Sequence, residues 1–179
     1  ARMPDDNQSF LLKGAIRMPT SKSDWFESLL FTINNKDFLS ASLSNKTKIF
    51  KVETDEKILK LSYPKNLNFD VDQLKLNDIR ETINGFYFYD VRKSKIKTLV
   101  NLPTLTFETT SGLVLSLSSV TKNTKGESWI KISAVGEKPA AKQIAEEITN
   151  KTKGFEFLAN VNTSDILRWN LKNLAATNK

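Results

Sequence analysis

The chain has 179 residues, 39% of them apolar, with 27 Lys and Arg against 20 Asp and Glu, a net charge of +7 and an isoelectric point near 9.5. It has no Cys and no His, which removes disulfides, thiolate nucleophiles, Cys/His zinc sites, imidazole bases and haem ligation through His. Eleven Phe and three Trp are enough to fill a core, and no apolar run reaches the ~18 residues that would span a bilayer.

Residues 1–36 read as an irregular lead-in that continues from a truncated upstream region. Ser9 to Ala15 is a short strand candidate, broken by Pro19. Asp24-Trp25-Phe26-Glu27 reads as a helical turn capped by Ser23 or Asp24, with Trp25, Phe26, Leu29 and Leu30 on one side.

Residues 37–98 form a first module. Phe38 to Ser44 alternates, with Leu39, Ala41 and Leu43 on one face and Ser40, Ser42 and Ser44 on the other, which predicts a half-buried strand. Lys48 to Thr54 follows with Phe50 and Val52 inward. Ile58 to Tyr63 repeats the pattern, and Pro64 closes it. A helix is predicted from Asp70, with capping-box spacing to Gln73. Its inner face is Val71, Leu74, Ile79 and Ile83, with Leu76 off that face. Gly85 stands where a helix end wants positive φ, and Phe86 to Arg92 is the next strand.

Residues 99–179 repeat the plan and add a closing helix. Leu105 and Phe107 mark a strand, Ser111-Gly112 a turn, and Leu113, Leu115 and Leu117 the return. Ser128 to Val135 alternates with Trp129 opposite Ile130, Ile132 and Ala134. Pro139 fits the first helical position, and Ala141, Ile144, Ala145 and Ile148 make the buried stripe. Gly154 ends that helix, and Phe155 and Phe157 open a strand. Thr163 or Ser164 caps the last helix, whose inner face is Leu167, Leu171 and Leu174. The parallel phrases Gly85-Phe86-Tyr87-Phe88 and Gly154-Phe155-Glu156-Phe157 are the pivots of the two modules. The fold class is α+β: two similar strand-strand-strand-helix-strand modules, mainly antiparallel sheet with helices packed on it. One continuous sheet and two sheets sharing helices both fit.

The chemistry-bearing patterns are sparse. Asp5-Asp6 are close in sequence, Glu146 and Glu147 on a helix do not converge, and Asp70 with Asp72 suits a helix N-terminus. Calcium-loop and phosphate-loop signatures are missing, and no catalytic, cofactor-binding or metal-binding residue is expected. Arg92, Lys93, Lys95 and Lys97 form a basic run after the aromatics Phe86 to Tyr89. It is the candidate partner surface, with nucleic acid as one use and anionic lipid or envelope polymer as another. The structural alternative is that Phe86 and Phe88 are core and the Lys residues guard a strand edge. Only five of the basic residues are Arg, the side chain that specific phosphate recognition favours.

Several segments resemble the bacterial family called domain of unknown function 4340. They are Gln8-Ser9-Phe10-Leu11-Leu12, Asp24-Trp25, Leu29-Leu30, Tyr89-Asp90-Val91-Arg92, Leu105-Thr106-Phe107-Glu108-Thr109 with Gly112-Leu113, Trp129, and Gly154-Phe155-Glu156-Phe157 followed by Leu167. Phe155 stands where the family usually has Trp, and Val161-Asn162 stands where it usually has a Tyr-Lys pair. The resemblance covers nearly the whole chain and its motifs are structural. It implies the C-terminal part of a longer protein held by an N-terminal helix on the periplasmic side of the inner membrane. It further implies protein partners, a transporter permease or auxiliary subunit, and a non-enzymatic role accessory to an ABC-type transporter.

Overall fold

The computed structural model describes residues 27–56, 58–95 and 101–176. The expected strand over residues 9–15, the turn residues Ser23 to Phe26, and Lys97 lie outside them.

Leu29 and Leu30 belong to a strand, not to a helical turn: Leu29–Phe31 is β1. It pairs with the strand Phe86–Lys93, where Phe31 stacks on Phe86 at 5.5 Å between ring centroids. A 3-10 turn, Asn35–Asp37, follows and is capped by the Asn34 side chain. Then come β2 Phe38–Asn45, β3 Thr47–Asp55 and β4 Ile58–Tyr63. Ala41, Leu43, Phe50, Val52 and Leu59 are buried as the alternation predicts. Leu39 is not: a register shift between Phe38 and Ser40 in the pairing of β2 breaks the alternation. Phe38 turns inward in its place, and Leu39 is 43% exposed.

Helix α1 is Gln73–Asn84, capped by Asp72, whose carboxylate accepts from the Leu74 N–H. The start is later than Asp70, and the inner face differs from the expected one. Leu76, Ile79 and Ile83 are buried, while Leu74 is 72% exposed. Val71 lies before the helix and bridges to Ala175. Gly85 then has φ −168°, an extended geometry open to any residue rather than the left-handed one expected. The strand it leads into, Phe86–Lys93, is β5.

The remaining elements are β6 Thr104–Thr109, β7 Leu113–Lys122, β8 Ser128–Gly136, α2 Pro139–Thr152, β9 Phe155–Ala159 and α3 Val161–Ile166. Pro139 opens α2 as expected, and Ala141, Ala145, Ile148 and Thr152 form its buried stripe. Ile144 is displaced to the surface, 40% exposed, because the helix rests on its small residues. Gly154 does adopt positive φ, +83°. Phe157 is buried, but Phe155, at the first position of β9, is 39% exposed. The closing helix is shorter than predicted. Asn160 caps it rather than Thr163 or Ser164, and both of those are buried. It stops at Ile166, and a separate 3-10 turn, Leu171–Leu174, begins at an Asn170–Asn173 capping box.

All nine strands of the described residues lie in one antiparallel sheet, in the order β1-β5-β9-β8-β7-β6-β2-β3-β4. The architecture is α+β. One continuous hydrophobic cluster joins the inner face of the strands to α1, α2 and Leu174. The lead-in thus contributes an edge strand, and one sheet, not two, runs through the chain.

Candidate partner-binding surface

Residues between the core positions point to the opposite face of the sheet. Across its middle, the register lines Ser42, Thr106, Ser116 and Ser133 into one cross-strand row. Thr106 and Ser116 hydroxyls lie 3.2 Å apart, and Thr104 and Ser118 3.0 Å apart in the next row. Charge gathers at the two sides of these rows.

On β5, β9 and β8 the centre is Glu156, only 1% exposed. Its carboxylate accepts from Arg92 Nε at 2.8 Å, the Ser94 hydroxyl at 2.9 Å and the Lys95 N–H at 3.2 Å, and Arg92 Nη2 lies at 2.7 Å. Arg92 also donates to Thr121 Oγ1 at 2.7 Å and lies flat over the Trp129 ring, 4.1 Å from its centroid. Burial alone would raise the Glu156 carboxyl. The hydrogen bonds from Arg92 and Ser94, the Arg92 charge and the Lys95 N–H outweigh it and hold the group below its ordinary range. The carboxylate is therefore ionised and fully occupied by donors.

On β2, β3 and β6 the charged group is open. Lys51 contacts Glu53 at 2.7 Å and Glu108 at 3.7 Å, and Ser40 donates to Glu108 at 2.8 Å. The hydrogen bond to Glu53 raises the Lys51 amine and lowers the Glu53 carboxyl, with burial opposing both. Both acids are more than two-fifths exposed.

The predicted basic run is divided by this arrangement. Arg92 is committed to Glu156, Thr121 and Trp129, while Lys93 and Lys95 are exposed. Lys93 stands opposite Phe155, and the Ser94 N–H donates to the Gly154 carbonyl, which brings Lys153 to the same corner. Thr121, bonded to Arg92, brings the neighbouring exposed Lys122 there as well. Glu156 was not legible as a site residue. It alternates with two Phe and reads as a solvent-facing acid, and its partner is 64 residues away.

Among the described residues no group of three or more acids could hold a metal ion. Comparison with family models, curated proteins and solved structures gives no match to this chain.

Proposed function

We propose that the chain is a non-enzymatic protein-interaction module of the domain of unknown function 4340 kind. In this reading it works on the extracytoplasmic side of the bacterial inner membrane, accessory to an ABC-type transporter. One observation carries the proposal. Three of the segments on which the resemblance rests, Tyr89 to Arg92, Trp129 and Gly154 to Phe157, lie far apart in sequence. Yet they meet in one cluster, with Arg92 over Trp129 and against Glu156. Motifs that serve one structural cluster suit a family whose signature is architectural. The ionised Glu156, enclosed by donors, suits a scaffold role rather than proton transfer.

We further read the chain as two like halves, β2-β3-β4-α1-β5 and β6-β7-β8-α2-β9. Their first strands pair with each other, β2 with β6, and so do their last, β5 with β9, both antiparallel. That reciprocal pairing is what a two-fold relation between halves would give. The test of function is affinity isolation of the protein from solubilised membranes of the cells that make it. Co-purification of a transporter permease or auxiliary subunit is expected; recovery of none of these sinks the proposal.

A second reading rests on the basic corner of Lys93, Lys95, Lys122 and Lys153, which would suit an anionic partner. Filter binding of DNA across a salt titration tests nucleic acid, whose affinity should fall steeply with salt. Flotation with anionic and neutral liposomes tests a lipid surface.

A further inference from the structure

We infer that a cavity between the Asn35–Asp37 turn, the start of β2, the end of β3 and α1 binds a small carboxylate carrying a hydrogen-bond donor on its adjacent carbon. The cavity has a volume of about 530 Å³ and is lined by Asn35, Lys36, Phe38, Thr54 and Arg80. Among the described residues three buried side-chain polar atoms have no hydrogen-bond partner: Asn35 Oδ1, Arg80 Nε and Ser128 Oγ. Two of the three belong to residues of this one cavity. Folded chains pair nearly all such atoms, so two orphans at one void mark a place where a partner is missing.

The orphans differ in kind. Arg80 Nε–H is a charged donor, and Asn35 Oδ1 is an acceptor. The same Glu81 oxygen lies beside both: it accepts from Asn35 Nδ2 at 2.7 Å but stays 3.9 Å from Arg80 Nε, too far for a hydrogen bond. Glu81 thus fixes the Asn35 amide with its oxygen unmatched and leaves the Arg80 Nε–H unmatched as well. An occupant has to accept at Arg80 and donate at Asn35. The lining contributes two cations, Lys36 and Arg80, and the half-exposed Glu81 carboxylate beside it stays out of hydrogen-bond reach of Arg80 Nε, so an anionic acceptor suits the site, and a carboxylate fits the planar guanidinium. The Thr54 hydroxyl already donates to the Phe38 carbonyl at 3.2 Å and keeps its lone pairs to accept a further donor. The Phe38 side chain forms an apolar wall. A terminal residue of an acylated chain has this chemistry: a carboxylate, an N–H one carbon away and a small side chain. Such a group could come from a free N-acyl amino acid or from the C-terminus of a peptide.

The experiment uses the full chain, labelled with ¹⁵N, titrated with N-acetyl-L-alanine, its uncharged N-methylamide, propionate and N-acetyl-Gly-Gly-Ala. NMR follows the Arg80 Nε–H and Asn35 side-chain amide signals. N-acetyl-L-alanine is expected to shift both at millimolar concentration. Propionate, which lacks the donor, and the N-methylamide, which lacks the charge, should each bind about tenfold more weakly. Arg80→Gln should weaken N-acetyl-L-alanine by a similar factor, and Lys36→Gln, on an exposed turn, provides a second variant should Arg80→Gln not fold. Tighter binding of the tripeptide assigns a chain terminus as the source, and equal binding a free acid. Three results overturn the inference. They are unchanged signals at both groups, which means the void holds only water; equal binding of propionate; and binding indifferent to both variants.

Discussion

Two residues, Glu137 and Lys138, separate β8 from α2, whereas nine, residues 64–72, separate β4 from α1. The short link keeps α2 on its own strand, and the strand after it, β9, returns to pair with β8. After the long link α1 still packs beside β4, but the strand it leads into, β5, is delivered to the far side of the sheet between β1 and β9. The β8–β9 register is brief, Trp129 with Leu158 and Ile130 with Phe157, while β5 matches β9 over five residue pairs. β9 is therefore held mainly by β5, a strand that precedes β6, β7 and β8 in the chain. The longer link thus goes with the longer excursion of the following strand, and it sets β5 and β9 side by side.

Gly136 is where the tight link can be broken most severely. A Cβ placed there would lie 2.3 Å from the Ala141 carbonyl carbon and from the Lys142 nitrogen, both backbone atoms of α2. Neither can move without lifting the helix off β8 and uncovering Ala141, Ala145 and Ile148. Gly136→Ala is expected to destabilise by about 3 kcal/mol or more, measured by urea unfolding at constant m-value. A loss within experimental error would show that α2 is not fixed by its link.

The junction between β5 and β9 is tested next. Arg92→Ala removes the charge facing a carboxylate that is 1% exposed, but Arg92 itself is 38% exposed and water can enter in its place. The expected loss is about 2 kcal/mol, below the full cost of breaking a dry pair. It should also change the pH dependence. The folded-state carboxyl of Glu156 is lowered, so its pair stabilises fully above the unfolded value of about 4.3 and is lost as pH falls through the folded value. In Arg92→Ala that lowering is largely gone. The stability gap between the two proteins should therefore be smaller at about pH 3 than at about pH 7. A gap that stays constant would mean the pair does not couple β5 to β9 electrostatically.

The sequence made the strands legible because period two survives wherever one face is buried, as at Phe50 and Val52 or Leu113, Leu115 and Leu117. It failed at Leu39, where a bulge changes phase, and bulges are set by the partner strand. It failed at Leu74 and Leu76 although the spacing favours the observed face: at about 100° per residue Leu76, Ile79 and Ile83 fall within about 60° of one another, and Leu74 lies on the opposite side. The Phe155–Phe157 pair looked equivalent, yet the first lies beyond the reach of the core at the strand's entry. Sites built from distant residues left no local mark at all. Nothing near Glu156 announces Arg92, and nothing near Asn35 announces Arg80, because those neighbours are created by strand order and helix placement.

The two helix-to-strand glycines give the finest comparison between the α1–β5 and α2–β9 turns. Both follow a helix and precede a Phe, yet Gly154 has φ +83° and Gly85 φ −168°. A Cβ on Gly154 would meet nothing within 4 Å, so the cost of Gly154→Ala is purely conformational, about 1 kcal/mol. A Cβ on Gly85 would meet the Tyr87 ring at 3.1 Å and Leu29 Cδ1 at an ordinary 3.7 Å, and the Tyr87 ring is 48% exposed and free to give way. Alanine there also narrows the unfolded ensemble, which favours folding. Gly85→Ala should thus lie within about 0.5 kcal/mol of wild type. Paired melting curves of the two variants read the difference directly, and equal losses would mean that the two turns are conformationally alike after all.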